Sequence, residues 1–218
     1  MAFYRGPRII TDGLIMYLDA GNTKSYPGTG TSWYDISGNF KNGTLVNGAG
    51  YNSTNSGSIV FDGTNDYVQL PTLDTNSSFT IMFTVNRKTG SGSTTLSGID
   101  ASGYLQIKVQ GYSIQLLRAY IATVGSAFTT TYNVDQIATF TITLDKLGQT
   151  YTCYKNGISV GSQVVDTTYI TSSPVLGLNT SSSEPLTGNI YNFMFYNKVL
   201  TPTEVLQNYN ATKTRFGL

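Results

Sequence analysis

The sequence predicts an all-β protein, a two-sheet antiparallel jelly-roll sandwich with one short C-terminal helix. Three observations carry this. Apolar residues alternate with period two over long runs, as in FTIMFTV at 79–85 and QIATFTITLD at 136–145. Tyr, Phe, Thr, Val and Ile come in short runs punctuated by Gly and Asn, the signature of strands and turns. Only one segment, close to the C-terminus, carries helix start signals. A length of 218 residues suits one sandwich that buries a core without disulfides or a structural metal.

Taken in order, GLIMYLDA at 13–20 and GNIYNFMFYN at 188–197 are the most apolar runs and are expected as central strands. GSIVFDG at 57–63 and DYVQLP at 66–71 read as a strand pair or one bent strand. In 79–85, Phe79, Ile81, Phe83 and Val85 share the inner face. GYLQIKVQGYSIQLL at 103–117 reads as a hairpin around Gly111. In 136–145, Ala138, Phe140, Ile142 and Leu144 point inward, and Thr139, Thr141 and Thr143 outward. Asn156-Gly157, between two strand-like runs at 151–161, tolerates positive φ at both positions and predicts a two-residue hairpin turn. TPTEVLQNYNAT at 201–212 has Thr201 before Pro202 and Glu204 three residues on, a capping box with proline at the first helical position. Val205, Leu206 and Tyr209 are then expected to dock on the sandwich.

No boundary divides the chain. TGSGST at 89–94 and NTSSSEP at 179–185 are short enough to be loops. The expected organisation is an N-terminal arm at 1–12, one jelly-roll domain at 13–211 and a C-terminal tail at 212–218.

Composition removes several functions. Charged residues are only 11% of the chain, so the surface must rest on Asn, Ser, Thr, Gly and Gln. Such a surface suits dense protein packing or hydrogen bonding to sugars. The net charge is +1 and the cations are scattered, which argues against nucleic acid as a partner. No apolar run approaches the length of a membrane span, and MAFYRGPRII lacks the apolar core of a secretory signal, so synthesis in a cytoplasm is expected. The absence of histidine removes His-based triads and almost all zinc sites. Cys153 stands alone at an inward strand position and reads as core. TGSGST lacks the Gly-Lys-Ser/Thr end of a phosphate-binding loop.

Three groups of residues stand as site candidates. Asp62, Asn65 and Asp66 supply the oxygen ligands of a calcium site, and they are equally the residues that stabilise a tight turn. Trp33, Tyr34 and Tyr112 are candidate aromatics for stacking on a sugar, with burial in the core as the competing reading for Trp33. Phe3, Tyr4, Arg5 and Arg8, with Lys213, Arg215 and Phe216, make a candidate docking patch if the two ends emerge together.

SIVFDGTNDYVQLP, SFTIMFTV, YTCYKNGISVG and LTGNIYNFMFYNKVLTPTEVLQNYNA occur in an order that resembles the concanavalin A-like lectin/glucanase superfamily, laminin-G-like type, over residues 13–211. That resemblance implies neighbouring terminal strands, and some relatives bind calcium at a sandwich rim. The opening 4–45 and the closing NYNATKTRFGL are similar to virion structural proteins of tailed phages, notably those of cyanobacteria and other aquatic bacteria. This implies a non-enzymatic virion protein, foremost a capsid decoration or cement protein whose partner is the major capsid protein. The alternative it leaves is an adhesin on tail, fibre or capsid that recognises a host surface polysaccharide. Glucanases of the superfamily carry a Glu-x-Asp-x-x-Glu strand motif. The two glutamates here, Glu184 and Glu204, have no carboxylate at that spacing, so no enzyme is expected.

Overall fold

The computed structural model describes residues 7–88, 94–98, 105–110, 116–121, 124–164, 174–178 and 184–218. The first strands are β1 (Leu14–Asp19), β2 (Ser32–Trp33), β3 (Gly43–Val46), β4 (Gly50–Asn52), β5 (Ser58–Asp62) and β6 (Tyr67–Gln69). The middle of the chain gives β7 (Phe79–Arg87), β8 (Thr94–Gly98), β9 (Leu105–Gln110), β10 (Leu116–Ile121) and β11 (Val124–Thr131). Then come β12 (Ile137–Asp145), β13 (Thr150–Lys155), β14 (Ile158–Val164), β15 (Val175–Leu176), β16 (Thr187–Tyr196) and the helix α1 (Pro202–Thr212).

These strands form two eight-stranded antiparallel sheets among the described residues. One runs β14-β13-β12-β7-β16-β5-β4, with β1 also on β16; the other runs β11-β10-β9-β8-β15-β6-β3-β2. This is the expected jelly-roll sandwich with one short C-terminal helix. β9 and β10 pair as the predicted hairpin, and its tip at 111–115 lies outside the described residues. The Asn156-Gly157 turn takes positive φ at both residues, as its sequence requires.

The inter-sheet core is built from the predicted inner faces. Phe79, Ile81, Phe83 and Val85 of β7 and Ala138, Phe140, Ile142 and Leu144 of β12 are fully buried. Their registers place Phe83 opposite Phe140 and Ile81 opposite Ile142, and the Phe83 and Phe140 rings lie 6.0 Å apart. Cys153 is buried in the same core, and burial pushes its thiol pKa up.

The outer face of this sheet departs from expectation. Thr139, Thr141 and Thr143 do point away from the core, yet they are buried. A second, smaller cluster lies on this side: Met82, Tyr154, Met194, Tyr196, Leu200 and Val205, with Ile9 and Ile10 packed against it. Several polar atoms under this cover find partners. Thr84 Oγ1 and Thr139 Oγ1 lie 2.9 Å apart, and Thr80 Oγ1 donates to the Lys198 carbonyl.

α1 has the full capping box, with Thr201 N donating to Glu204 Oε2 and Glu204 N to Thr201 Oγ1. The Thr201 backbone N–H and Lys198 together hold the Glu204 carboxyl below its ordinary pKa. The docked face agrees with the prediction at Val205, which is buried, and at Tyr209, which packs half-buried on the outer cluster; it differs in that Asn208 and Thr212 are buried with them, while Leu206 stays 43% exposed. Asn208 decides this orientation. Its Oδ1 accepts from Ile10 N (2.7 Å) and its Nδ2 donates to Tyr196 Oη (3.0 Å).

Two further expectations change. Among the described residues β1 is an edge strand, with β16 as its one strand partner. Its other edge is sealed by the 35–39 loop, in which Ile36 N donates to the Tyr17 carbonyl and Asp35 Oδ1 accepts from Tyr17 N. β5 and β6 do not pair; they lie in different sheets, and residues 63–66 carry the chain across the sandwich edge.

The capping box gives a direct test. Thr201→Ala removes the side-chain acceptor for Glu204 N, and a loss of about 1 kcal/mol is expected. Thermal unfolding of the variant should fall by about 2–4 °C.

Candidate functional site

The 62–66 segment is a corner between sheets, organised by its own carboxylates. Asp62 Oδ1 accepts from Thr64 N (2.7 Å), and Asp66 Oδ2 accepts from Asp62 N (3.0 Å). Asn65 is tied by its carbonyl to Asn47 Nδ2 (3.0 Å). Gly63 sits at φ +84°, and a Cβ there would lie 1.9 Å from Thr187 Oγ1, so only glycine fits. Asp66 is 4% exposed, and its Oδ1 is buried without a hydrogen bond. Burial raises its pKa, the Asp62 N–H pulls it back, and the Asp62 charge adds to the rise. Asp62 and Asn65 are exposed. The described residues bring no three of His, Cys, Asp and Glu together. The carboxylates at this corner are employed in making the turn.

The aromatic candidates separate. Trp33 is fully buried beneath β2 in the inter-sheet core, so no sugar can stack on it; packing takes the ring that sequence alone left open to either use. Tyr34, the next residue, is 44% exposed. Tyr112 lies outside the described residues. Sequence reading missed Phe40, which is 86% exposed on the same loop as Tyr34.

The two ends of the described chain meet at one pole. Ile10 N and the Arg8 carbonyl bond to Asn208 and Gln207 of α1. The residues after α1 form a 3-10 turn, Lys213–Phe216, that folds back onto the body. Arg215 makes a bidentate ion pair with Asp19, Nη1 to Oδ2 at 2.5 Å and Nη2 to Oδ1 at 2.8 Å. Burial alone would lower the Arg215 pKa, but the Asp19 hydrogen bonds and charge outweigh it and raise it. Tyr17 Oη donates to the same Asp19 carboxylate (3.0 Å), and burial with that negative neighbour pushes the phenol pKa up. Phe216 is buried against Tyr191, ring centroids 5.0 Å apart. Arg215 and Phe216 are thus tied to the body of the chain, because the 3-10 turn reverses the tail onto Asp19 and Tyr191. Lys213 lies over the Tyr209 ring at 5.3 Å. Arg8 is exposed and lines a pocket of about 490 Å³ with Pro7, Ile9, Tyr17, Ala211 and Arg215. Phe3, Tyr4 and Arg5 lie outside the described residues.

Comparison with known proteins adds to this geometry. A family model described as the concanavalin A-like lectin/glucanases superfamily matches residues 62–206. A search of curated proteins finds no match. Among solved structures, domain 4 of AbnA, a GH43 extracellular arabinanase from Geobacillus stearothermophilus in complex with arabinotriose, is similar at 19% identity and TM-score 0.70. That alignment covers 90% of this chain and 98% of the domain. Trypanosoma rangeli sialidase is similar at 16% identity and TM-score 0.72, covering 93% of this chain and 33% of the sialidase. The binding domain of botulinum neurotoxin DC, in complex with rat synaptotagmin II, is similar at 14% identity and TM-score 0.71, covering 93% of this chain and 52% of that one. The chain therefore spans about a third of the sialidase and about half of the neurotoxin chain. At these identities the likeness is one of fold.

Two outcomes follow. Arg215→Ala leaves the Asp19 carboxylate buried without its partner, and a loss of about 3 kcal/mol in denaturant unfolding is expected. At the corner, the raised Asp66 pKa means that ionisation costs the folded state more than the unfolded one. Stability contributed there is present at low pH and falls as pH rises from the ordinary aspartate value through the raised one. Asp66→Asn should flatten that part of the pH–stability profile. Calcium or a chelator should leave the melting temperature of the parent protein unchanged, and a calcium-dependent rise abolished by Asp66→Asn would overturn the turn assignment.

Proposed function

The chain belongs to the concanavalin A-like lectin/glucanases superfamily, and from that premise we propose that it is a non-enzymatic structural protein of a phage virion, a decoration or cement protein seated on the capsid. The observation that carries the proposal is how the terminal segments assemble. The described residues of the two stretches that resemble virion proteins, 4–45 and 208–218, meet at one pole through Asp19–Arg215 and Ile10–Asn208. They behave as one structural unit although they lie at opposite ends of the sequence. In this reading the pole, with exposed Arg8, half-buried Lys213 and the neighbouring pocket, meets the major capsid protein. The sandwich is the rigid body that bridges neighbouring subunits, and its work is adhesive. The low charge of the chain allows copies to sit side by side without strong repulsion.

A catalytic role has little support. Hydrolysis of a glycosidic bond normally needs two carboxyls flanking it. Glu204 is committed to the Thr201 cap and to Lys198 at 2.9 Å, and Asp62 and Asp66 are committed to their turn. A second reading, binding of a host polysaccharide by an adhesin, is favoured by the arabinotriose-bound arabinanase domain, because the alignment runs over nearly all of that domain. It draws on exposed Tyr34.

Purified virions separate the two. Quantitative mass spectrometry of gradient-purified heads and tails should find this chain with the heads, in fixed ratio to the major capsid protein. Recombinant protein should rebind stripped heads and raise their heat resistance. Absence from particles would sink the virion proposal, and recovery with tails alone would replace the cement reading by the adhesin reading.

A further inference from the structure

The loop between β2 and β3 holds an aromatic ring where neither packing nor backbone preference would put it. Phe40 is 86% exposed, so its ring gains almost nothing from burial. Its backbone sits at φ +57°, a left-handed conformation that bulky L-residues avoid. Relaxation of the loop would relieve both features, and a dense set of hydrogen bonds prevents it. The Asp35 carboxylate accepts from Tyr17 N (2.8 Å), Ser37 N (2.8 Å), Ser37 Oγ (2.8 Å) and Lys41 N (3.1 Å). Asn42 Oδ1 accepts from Asp35 N (2.9 Å), and Asn39 Nδ2 donates to the Leu14 and Ile15 carbonyls at 3.1 Å each. The Lys41 N to Asp35 bond joins the residue after Phe40 to the residue after Tyr34. Both exposed aromatics therefore lie at the same end of one closed loop.

The chemistry left facing water is specific. The loop carboxylate is consumed internally, and the Lys41 ammonium donates to the Thr72 carbonyl (3.4 Å). What remains is two aromatic side chains among amides and hydroxyls, without a charge dedicated to a ligand. Aromatic faces bind the C–H face of a sugar ring, and amides bind its hydroxyls. A loop backbone fixed before the ligand arrives loses little freedom on binding. The one cation on this loop, Lys41, turns its ammonium toward the Thr72 carbonyl (3.4 Å). A protein partner would call for a broader apolar patch than two separate rings among polar groups.

We infer that Phe40 and Tyr34 form a stacking platform for a neutral glycan, with Phe40 as its main contact. The inference rests on the second, sugar-binding reading above, and it assigns that reading a site.

The test uses the full chain on an array of neutral oligosaccharides, arabino-oligosaccharides and purified host polysaccharide, followed by calorimetry on the best binder. Parent protein should bind a neutral glycan. Phe40→Ala should weaken it about tenfold or more, Phe40→Trp should retain it, and Tyr34→Ala should weaken it less. The readout that a structural role would not give is stability. Phe40→Gly should lose binding while its melting temperature holds or rises by up to about 4 °C, because glycine accepts the left-handed backbone. If the parent binds and Phe40→Ala binds equally, the platform is wrong and the sugar reading survives. If the parent binds none of these glycans, both fall. A marked drop in the melting temperature of Phe40→Ala would make the ring structural. Loss of particle attachment with glycan binding intact would make it a protein anchor. Either result overturns the platform.

Discussion

A strand buried on both faces must have both edges hydrogen bonded and both sides covered, and β16 imposes this requirement on the rest of the molecule. One edge is taken by β7. The other is shared end to end: β5 covers the half from Thr187 to Ile190, and β1 the half from Asn192 to Tyr196. A shared edge leaves a seam where one strand stops and the next begins. The seam falls at Tyr191, whose carbonyl accepts from Ala20 N (3.0 Å). Two glycines let the chain close there. A Cβ on Gly21 would lie 1.8 Å from the Ser56 carbonyl oxygen, and one on Gly57 would lie 2.7 Å from that of Ala20. Arg215 then bridges the two sides of the seam, through Asp19 on one and the Ser56 carbonyl (3.3 Å) on the other. Phe216 covers Tyr191 itself. The terminal pole is thus a consequence of how β16 is completed, which is why segments so far apart in sequence form one unit.

The same requirement explains the second core. With both faces of β16 and β7 removed from water, the outer face needs a lid, and α1 with residues 9–10 supplies it. The sequence made the helix and its cap legible, because Thr201, Pro202 and Glu204 are local signals. It made the docked face legible only in part. Val205 and Tyr209 of the apolar choice do pack on the outer cluster, but Leu206 is left out because the helix is turned by Asn208, whose hydrogen bonds to Ile10 and Tyr196 span the lid, its N-terminal strap and the strand below. Such a contact has no periodicity to betray it. The outer threonines of β12 did carry a readable sign. A strand face open to water would be expected to hold Lys or Glu, and the uncharged Thr139, Thr141 and Thr143 are what a covered face tolerates once their hydroxyls find partners.

Of the candidate sites, the carboxylate corner was legible as chemistry but not as topology. Two apolar runs around Asp-Gly look like a hairpin, and whether they pair or part depends on which sheet each completes, a long-range choice. Trp33 was legible only as a choice between core and surface, and packing made it core. Phe40 was not legible at all. Its left-handed backbone belongs by preference to glycine or asparagine, and both of those, Gly38 and Asn39, lie immediately before it. Gly38 does take positive φ (+100°), and the loop closed between Asp35 and Lys41 places a second one on the phenylalanine.

Two loops of this molecule are organised by the same device, a carboxylate gathering backbone N–H groups, and the difference between them separates structure from function. At the 62–66 corner the device closes on itself. The glycine sits where a side chain cannot fit, the conformation costs little, and Asp66 is turned inward. At the 35–41 loop Asp35 seals the edge of β1, a structural task that requires nothing particular of residue 40. A glycine or asparagine there would serve the seal at least as well, and an exposed Phe serves it worse. The fold does not call for the ring at that position, and strain at a residue that the fold does not need is what motivates the binding role proposed for it.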